Sequence, residues 1–465
     1  MKIFGDLPNV IFNYYFIVGG LFIAYLIYCT FYSLIGTGNF IQTKYRSRGH
    51  TWRSIQFCRK LMLPLDGLYC ECCAVSACKL CCRGLDKKLR CKEISWRDDK
   101  PFPHLWSNVG MARGETDQNE EFESHQNFFC SWCQRIIKSD DLILHKAEPC
   151  DFQKYKNIII PPNCVKIDKN KIMAINPVSN DDWEPLIIFA NRKSGSNRSD
   201  EVLSIFRGLL NPLQVLAVNL GSAGRRCKLV RWLPSRCRVL VAGGDGTVAW
   251  VLNKYLSILH YSKSQPSIVG ILPMGTGNDL SRALGWGPTC DSVLDAHSII
   301  DSLLQAVEQP LDRLARLRGT RELYAYNYAS IGVDAQVALD FHRARAQFLY
   351  RFANPLDDGG CGGLERRVRV WAPEPLALPP VQALVALNIP SWGAGICLKE
   401  MRLLYLTYSS INIQVVGISS SFHIARLQCG LAEPFRFTQA SDVKVGKINQ
   451  SPLGTMLASS PRPAT

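Results

Sequence analysis

Three short stretches within residues 191–279 carry residue types that could hold a phosphate and a metal ion: Asn191-Arg192-Lys193-Ser194-Gly195, Gly243-Gly244-Asp245-Gly246-Thr247 and Pro273-Met274-Gly275-Thr276-Gly277-Asn278-Asp279. Gly195, Gly243, Gly244, Gly246, Gly275 and Gly277 would let backbone N–H groups approach an anion without a Cβ in the way. Asp245 and Asp279 are the acids available to hold or orient a divalent metal and a reacting hydroxyl. Asn191, Ser194, Thr247, Thr276 and Asn278 supply neutral hydrogen bonds, and Arg192 or Lys193 supplies positive charge. One such turn is an ordinary Asp-Gly bend. Three in succession describe a phosphate-binding crevice.

The elements that must position these turns are legible on either side of them. Leu186–Ala190, Val239–Ala242 and Ile268–Leu272 are short apolar runs, and Val215–Val218 is another. Helical spacing follows the first turn (Val202, Leu203, Ile205, Phe206, Leu209) and the second (Trp250, Val251, Leu252, Tyr255, Leu256), and a short helix is expected from Leu280. Repeated strand–turn–helix units predict a parallel sheet covered on both faces, with ligand at the carboxyl ends of its strands. The turns do not match the Walker A pattern, which excludes a P-loop comparison.

A second chemistry lies nearer the N-terminus. Eleven of the nineteen cysteines fall between Cys58 and Cys150. His50 precedes Cys70-x2-Cys73 and Cys91; His104 precedes Cys130-x2-Cys133 and Cys150. The compartment decides how such cysteines are read. Residues 7–43 carry no charged residue, Ile11–Ile35 is an almost unbroken apolar run, and Lys44, Arg46, Arg48 and Arg53 follow. A run of that length can cross a hydrocarbon core as one tilted helix, and the positive-inside rule then puts the remainder in the cytosol. A hairpin re-entering at Gly19-Gly20 is the other possibility. On the reducing side, zinc is a better reading than disulfides. The formal charge of +15 favours an anionic lipid leaflet. No basic stripe interleaves with aromatics, which argues against a nucleic-acid partner.

Two resemblances sharpen this reading. The His/Cys series resembles a tandem of C1 domains, and the resemblance implies two Zn²⁺ ligand sets, His50, Cys70, Cys73, Cys91 and His104, Cys130, Cys133, Cys150. The second zinc site of a C1 domain is incomplete in both copies. The first offers Cys58, Cys78 and Cys81 with Cys72 or Cys82 to complete them, and the second has Lys138 at the expected His position with His145 out of register. The three turns, with Asn327-Tyr328-Ala329-Ser330-Ile331-Gly332-Val333-Asp334-Ala335 and Leu387–Gly395, resemble the diacylglycerol kinase family, in a layout most similar to its epsilon type.

The resemblance implies ATP- and Mg²⁺-dependent phosphorylation of diacylglycerol to phosphatidic acid. It also implies a membrane location at the endoplasmic reticulum or plasma membrane, with the catalytic part cytosolic. The expected order is a membrane anchor at 1–43, C1-like modules at 48–95 and 102–152, and a catalytic α/β domain at 183–310. A β-rich accessory half at 311–445 and a polar tail at 446–465 complete it.

The chain departs from the family where relatives carry Asp-Asp-Gly-x-Leu-Glu-Val-Val-Gly. Here the stretch is Ser409-Ser410-Ile411-Asn412-Ile413-Gln414-Val415-Val416-Gly417, and the later Val-Asp-Gly-Glu has no counterpart. The apolar pattern of relatives is also expected to be lost between Phe341 and Val381. Gln414 cannot take a proton or a hard cation as a glutamate would. The alternatives are a membrane-anchored protein that keeps nucleotide or lipid without transferring phosphate, and a sphingoid or ceramide kinase, which would lack the cysteine modules.

Overall fold

The computed structural model describes residues 50–54, 67–78, 82–96, 101–108, 127–168, 171–192, 198–218, 237–262, 268–290, 293–318, 321–346, 361–397, 413–447 and 452–459. The apolar run Ile11–Ile35, Lys193–Gly195 and Ser409–Asn412 lie outside them. Among the described residues no helix is long and apolar enough to cross a membrane. The chain divides into two compact units, Met1–Glu93 with Pro103–Cys150, and Ile94–Phe102 with Asp151–Thr465.

The first unit repeats one small pattern. Strands β1 (Trp52–Ser54), β2 (Gly67–Cys70) and β3 (Ser76–Cys78) form an antiparallel sheet in that order, followed by α1 (Cys82–Lys88). Strands β4 (Trp106–Asn108), β5 (Asn127–Cys130) and β6 (Ile136–Lys138) do the same, followed by α2 (Leu142–His145). The turn after each middle strand is also repeated. Ala74 and Gln134 take positive φ (59° and 64°) and donate back to the carbonyls of Cys70 and Cys130 at 2.9 Å. That backward bond holds the two cysteines of each C-x2-C on one side of a tight turn.

In the second unit, hairpin β7 (Val165–Asp168) and β8 (Lys171–Ile175) precedes the α/β half. Its elements run β9 (Leu186–Asn191), α3 (Ser199–Leu209), β10 (Val215–Val218), β11 (Arg238–Gly243), α4 (Asp245–Ser262), β12 (Ile268–Pro273), α5 (Asp279–Ala283) and α6 (Ala296–Gln305). The sheet is parallel throughout, in the order β10-β9-β11-β12. All residues of β9 and β10 are buried, as expected for a sheet covered on both faces. The chain steps outward from β9 to β10 and then crosses to β11 on the other side. The ends of β9 and β11 therefore flank the point where strand order reverses, where α/β sheets open a crevice.

The remaining strands are antiparallel. Strands β13 (Arg313–Arg318), β14 (Arg321–Ala325), β16 (Val368–Ala372), β17 (Glu374–Leu376), β23 (Asp442–Lys447) and β24 (Pro452–Ser459) make one sheet. Strands β15 (Tyr328–Gly332), β18 (Ala383–Leu387), β21 (Ile413–Ile418) and β22 (Phe435–Ala440) make a second, and β19 (Ser391–Trp392) pairs with β20 (Ile396–Cys397). Leu314, Val370 and Val443 from the first sheet pack with Leu384, Ile413 and Val415 from the second. The other face of the second sheet buries Val385, Leu387 and Val416 with Val333 of α7 (Val333–Ala346) and Leu427 of α8 (Ser421–Gln428). Of the stretch 341–381, where the pattern of relatives is expected to be lost, residues 347–360 lie outside the described residues, and β16 keeps an apolar alternation of its own. Val368, Val370 and Ala372 are buried in strict alternation with more exposed neighbours, a period-two signal too short to stand out in sequence.

Candidate functional site

Each of the three turns leaves the carboxyl end of a parallel strand and begins a helix or the approach to one. Asn191 closes β9 and is buried; its Nδ2 donates to Thr247 Oγ1 at 2.8 Å. Ser199, at the start of α3, donates its hydroxyl to the Asn191 carbonyl. Arg192 faces Asp200 at 3.3 Å, so its charge is already opposed by a carboxylate. Asn191 and Thr247 hold the first turn to the second.

The glycines fall into two classes. A Cβ on Gly243 would lie 2.6 Å from Thr247 Cβ. A Cβ on Gly244 would lie 2.9 Å from Gly275 Cα, and one on Gly275 would lie 2.6 Å from Gly244 Cα. The second and third turns touch backbone to backbone, a contact only glycine permits. Gly246 has nothing within 4 Å of the position its Cβ would occupy. It is exposed, as is Thr276, so these two residues form the open rim of the crevice.

The two aspartates are fixed by different donors. Asp245 is half-buried at the start of α4, and its carboxylate accepts the backbone N–H groups of Asp279 (2.9 Å, Oδ2) and Leu280 (2.9 Å, Oδ1). It thereby holds the first turn of α5, where an anion is favoured by unpaired N–H groups. Asn278 enters that helix at φ 52° with both amide protons committed: its amide donates to the carbonyls of Gly275 (2.9 Å) and Pro288 (2.7 Å) and accepts from Gly275 N (2.9 Å). Asn278 is thus a staple for the third turn.

Asp279 is 2 % exposed. Its carboxylate accepts the Ser391 hydroxyl (2.7 Å) and the N–H groups of Ala394 (3.1 Å) and Gly395 (3.0 Å). Those residues lie in the β-rich half, so one carboxylate ties the nucleotide-type loops to the loop after β19. The position of a Gly277 Cβ would be 3.5 Å from Asp279 Oδ2 and 3.7 Å from Asp245 Oδ2, so both acids present an oxygen to the same small space. Arg282 Nε donates to the Gly277 carbonyl at 3.0 Å and closes the turn.

Sequence reasoning quoted Tyr328 and Asp334 without assigning them a role, and both border this acidic group. The Tyr328 hydroxyl is pushed up by burial and by the charges of Asp279, Asp334 and Asp245. The Asp334 carboxyl, in the first turn of α7, is pushed up by burial and by Asp279, partly opposed by Ser330 and Trp392. Their signal in sequence was a single aspartate and a single tyrosine, which acquire meaning only when β15 is placed beside the Asp279 loop. The arrangement can hold and orient a divalent metal that carries a polyanion; the carboxylate pair at Gly277 and the exposed Gly246 fit Mg²⁺ and phosphate by donor chemistry.

The cysteine unit assembles two donor sets. His50, Cys70, Cys73 and Cys91 are all buried with ligand atoms within 4.8 Å of one another, and so are His104, Cys130, Cys133 and Cys150. His50 Nδ1 is 3.1 Å from Cys73 Sγ, and His104 Nδ1 is 3.4 Å from both Cys130 and Cys133. Hydrogen bonding from Cys70 and Cys91 holds the Cys73 thiol well below its ordinary range, while Cys91 is pushed well above. Three thiols this close cannot all be deprotonated without a central cation, and a Cys3His set is suited to Zn²⁺. His145 pairs instead with Glu148 at 2.8 Å, and Lys138 is exposed. Of the residues left open for a further site, Cys58 and Cys81 lie outside the described residues, and no additional donor cluster forms among the described ones.

Comparison with known proteins agrees with this geometry. The family profile "Diacylglycerol kinase catalytic domain" matches residues 185–311. Mouse diacylglycerol kinase theta is 33% identical over 303 residues, covering 58% of this chain and 32% of that protein. Human diacylglycerol kinase iota is 29% identical over 411 residues, covering 70% of this chain and 38% of that protein. The chain thus spans about a third of the length of the curated relatives it matches. A diacylglycerol kinase crystal structure from Bacillus anthracis str. Sterne aligns at 16% identity with a TM-score of 0.36, covering 60% of this chain and 90% of that one. The matched residues 185–311 include all three turns, which sit at the ends of adjacent parallel strands.

Proposed function

We propose that this chain transfers the γ-phosphoryl group of Mg·ATP to the free hydroxyl of diacylglycerol, giving phosphatidic acid and ADP. The observation that carries the reading is the convergence of Asp245 and Asp279 on Gly277, at the mouth of a crevice built from three phosphate-type turns. Phosphoryl transfer asks chiefly for positioning and charge neutralisation. Gly244 and Gly275 bring two turns into contact, Gly246 and Thr276 present an open rim, and Asp245 orients the backbone of Asp279 and Leu280. Mg²⁺, when bound, supplies the positive charge that the phosphates require. Asp279 joins that machinery to Ser391 and its loop, so the nucleotide and acceptor halves are held in register.

The cysteine unit is proposed to bind two Zn²⁺ ions as structural sites, one per donor set. Membrane anchorage through Ile11–Ile35, with the catalytic part cytosolic, is proposed on the apolar run and the basic residues that follow it. The epsilon-type assignment rests on the order of hydrophobic N-terminus, paired cysteine modules and catalytic half. The test is product analysis. Labelled ATP and Mg²⁺ are presented in mixed micelles with diacylglycerol, sphingosine or ceramide, and label is expected in phosphatidic acid alone. Label in a sphingoid product, or in none, would refute the assignment.

A further inference from the structure

A cation at the mouth of the crevice is unused by the chemistry above. Of the arginines described beside the three turns, Arg192 lies 3.3 Å from Asp200 and Arg198 lies 2.9 Å from Glu201, so both are already opposed by an acid. Arg282, on α5, is exposed and makes no ion pair among the described residues.

Two contacts fix where its guanidinium lies. Nε donates to the Gly277 carbonyl at 3.0 Å. On its other side, a Cβ on Gly395 would lie 3.0 Å from Nη1 and 3.2 Å from the guanidinium carbon. Gly395 takes φ 113°, and its bare Cα lets the guanidinium lie against the loop after β19. Arg282 thus bridges the third turn and that loop. Both of its neighbours also border the acids. Asp245 and Asp279 present oxygens beside Gly277, and the Gly395 N–H donates to Asp279 Oδ1 at 3.0 Å.

The Asp279 carboxylate does not compete for the guanidinium, because its oxygens accept the Ser391 hydroxyl and the N–H groups of Ala394 and Gly395. Nε is spent on Gly277, whereas the Nη nitrogens donate no hydrogen bond among the described residues. The arginine is therefore anchored at one nitrogen and open at the others.

Charge identifies the occupant. Two carboxylates and a divalent cation held between them cancel, so the phosphates of a nucleotide still need positive charge from the protein. Transfer spreads the negative charge of the moving phosphoryl group over its oxygens. A planar guanidinium with parallel N–H donors matches that geometry, and a donor fixed in advance needs no reorganisation when the charge develops. Arg282 stands beside the space shared by the two carboxylates, where a metal bridging the last two phosphates would lie next to the group that moves.

We propose that Arg282 is a catalytic residue whose Nη groups hold the terminal phosphate of the bound nucleoside triphosphate, with Nε on Gly277 fixing the approach. The inference rests on the kinase reading, and its test separates the two. Binding of Mg·ADP and of the Mg²⁺ complex of the non-transferable β,γ-imido analogue of ATP is measured by calorimetry on the full chain and on Arg282→Gln. The variant should bind the triphosphate analogue about tenfold or more weakly and ADP within about twofold of the parent. An equal loss for both nucleotides, as expected if Arg282 only braces the Gly277 turn, overturns the proposal, and so does no loss for either.

Melting curves accompany each variant. Arg282→Lys keeps the charge without the fork, and it carries the comparison if Arg282→Gln does not fold. A smaller loss, still selective for the triphosphate, is expected of it, and an equal loss for both nucleotides again overturns the assignment. In diacylglycerol micelles, Arg282→Gln should lower kcat about 10²-fold or more; unchanged turnover contradicts the catalytic role. The binding readout needs no turnover. If the selective loss is seen while the parent chain phosphorylates no lipid, the kinase reading alone fails.

Discussion

The two aspartates of the crevice share a charge but differ in their partners, and their substitutions should behave differently. Asp245 accepts one N–H on each oxygen and keeps a lone pair on each. Asp245→Asn turns one acceptor into a donor aimed at an N–H. It should destabilise the fold by about 1–3 kcal/mol and lower turnover by about 10³-fold or more, read by thermal melts beside kinetics. Ser391→Ala leaves Asp279 its two N–H donors. It should cost about 1 kcal/mol and lower kcat more than it alters nucleotide affinity, whereas a purely local role for Ser391 predicts no kinetic change. Asp334 carries a pH signature. Its folded pKa is raised by burial and by Asp279, so the unfolded chain releases this proton first as pH climbs. Stability is therefore lost from about pH 4, the free carboxyl value, up to the raised folded value. Asp334→Asn should remove that part of the loss, and melts across this window would record a flatter profile.

At the scale of elements, the glycines sort into packing and rim positions, and the sort can be tested. Gly275→Ala pushes a methyl toward the backbone of Gly244 and should lower both stability and nucleotide affinity. Gly246→Ala meets open space in the first turn of α4 and should leave stability unchanged or slightly raised. If a phosphate uses the rim, nucleotide affinity falls in Gly246→Ala without any loss of melting temperature; equal effects in both variants would contradict the sort. The strands and turns of the α/β half were legible because buried apolar runs and glycine-acid turns are local signals. The cysteine sets were legible through the resemblance to C1 domains, which the C-x2-C spacing and a leading His carry. What was not legible is non-local. The Asp279–Ser391 bond spans 112 residues, and the clustering of Tyr328 and Asp334 depends on antiparallel strands whose pairing no short pattern specifies. Asn278 shows the remaining gap. Its type suits ligand contact, yet its hydrogen bonds are spent on its own loop.

For the whole molecule, the two parts proposed to hold metal follow different rules. Among the described residues the cysteine unit has little apolar core beyond its ligands and a few neighbours such as Val75, Trp132 and Leu105. A metal there supplies folding energy directly. Chelation should unfold that unit while the β-rich half retains its protection from hydrogen exchange, and metal content should approach one zinc per donor set; absence of zinc from purified protein would contradict the assignment. Gln414 bears on the catalytic half. It is 6% exposed on β21 with no hydrogen-bond partner for its Oε1, so the position where the family resemblance leads one to expect a glutamate holds a buried neutral amide. The remaining acids of the crevice must then suffice for transfer. The most direct test is phosphatidic acid formation by the full chain in diacylglycerol micelles with Mg·ATP, measured beside Asp245→Asn together with nucleotide binding by both. The predicted result is transfer by the parent chain and a drop of about 10³-fold or more in the variant. Equal silence from both proteins while nucleotide still binds would contradict the account.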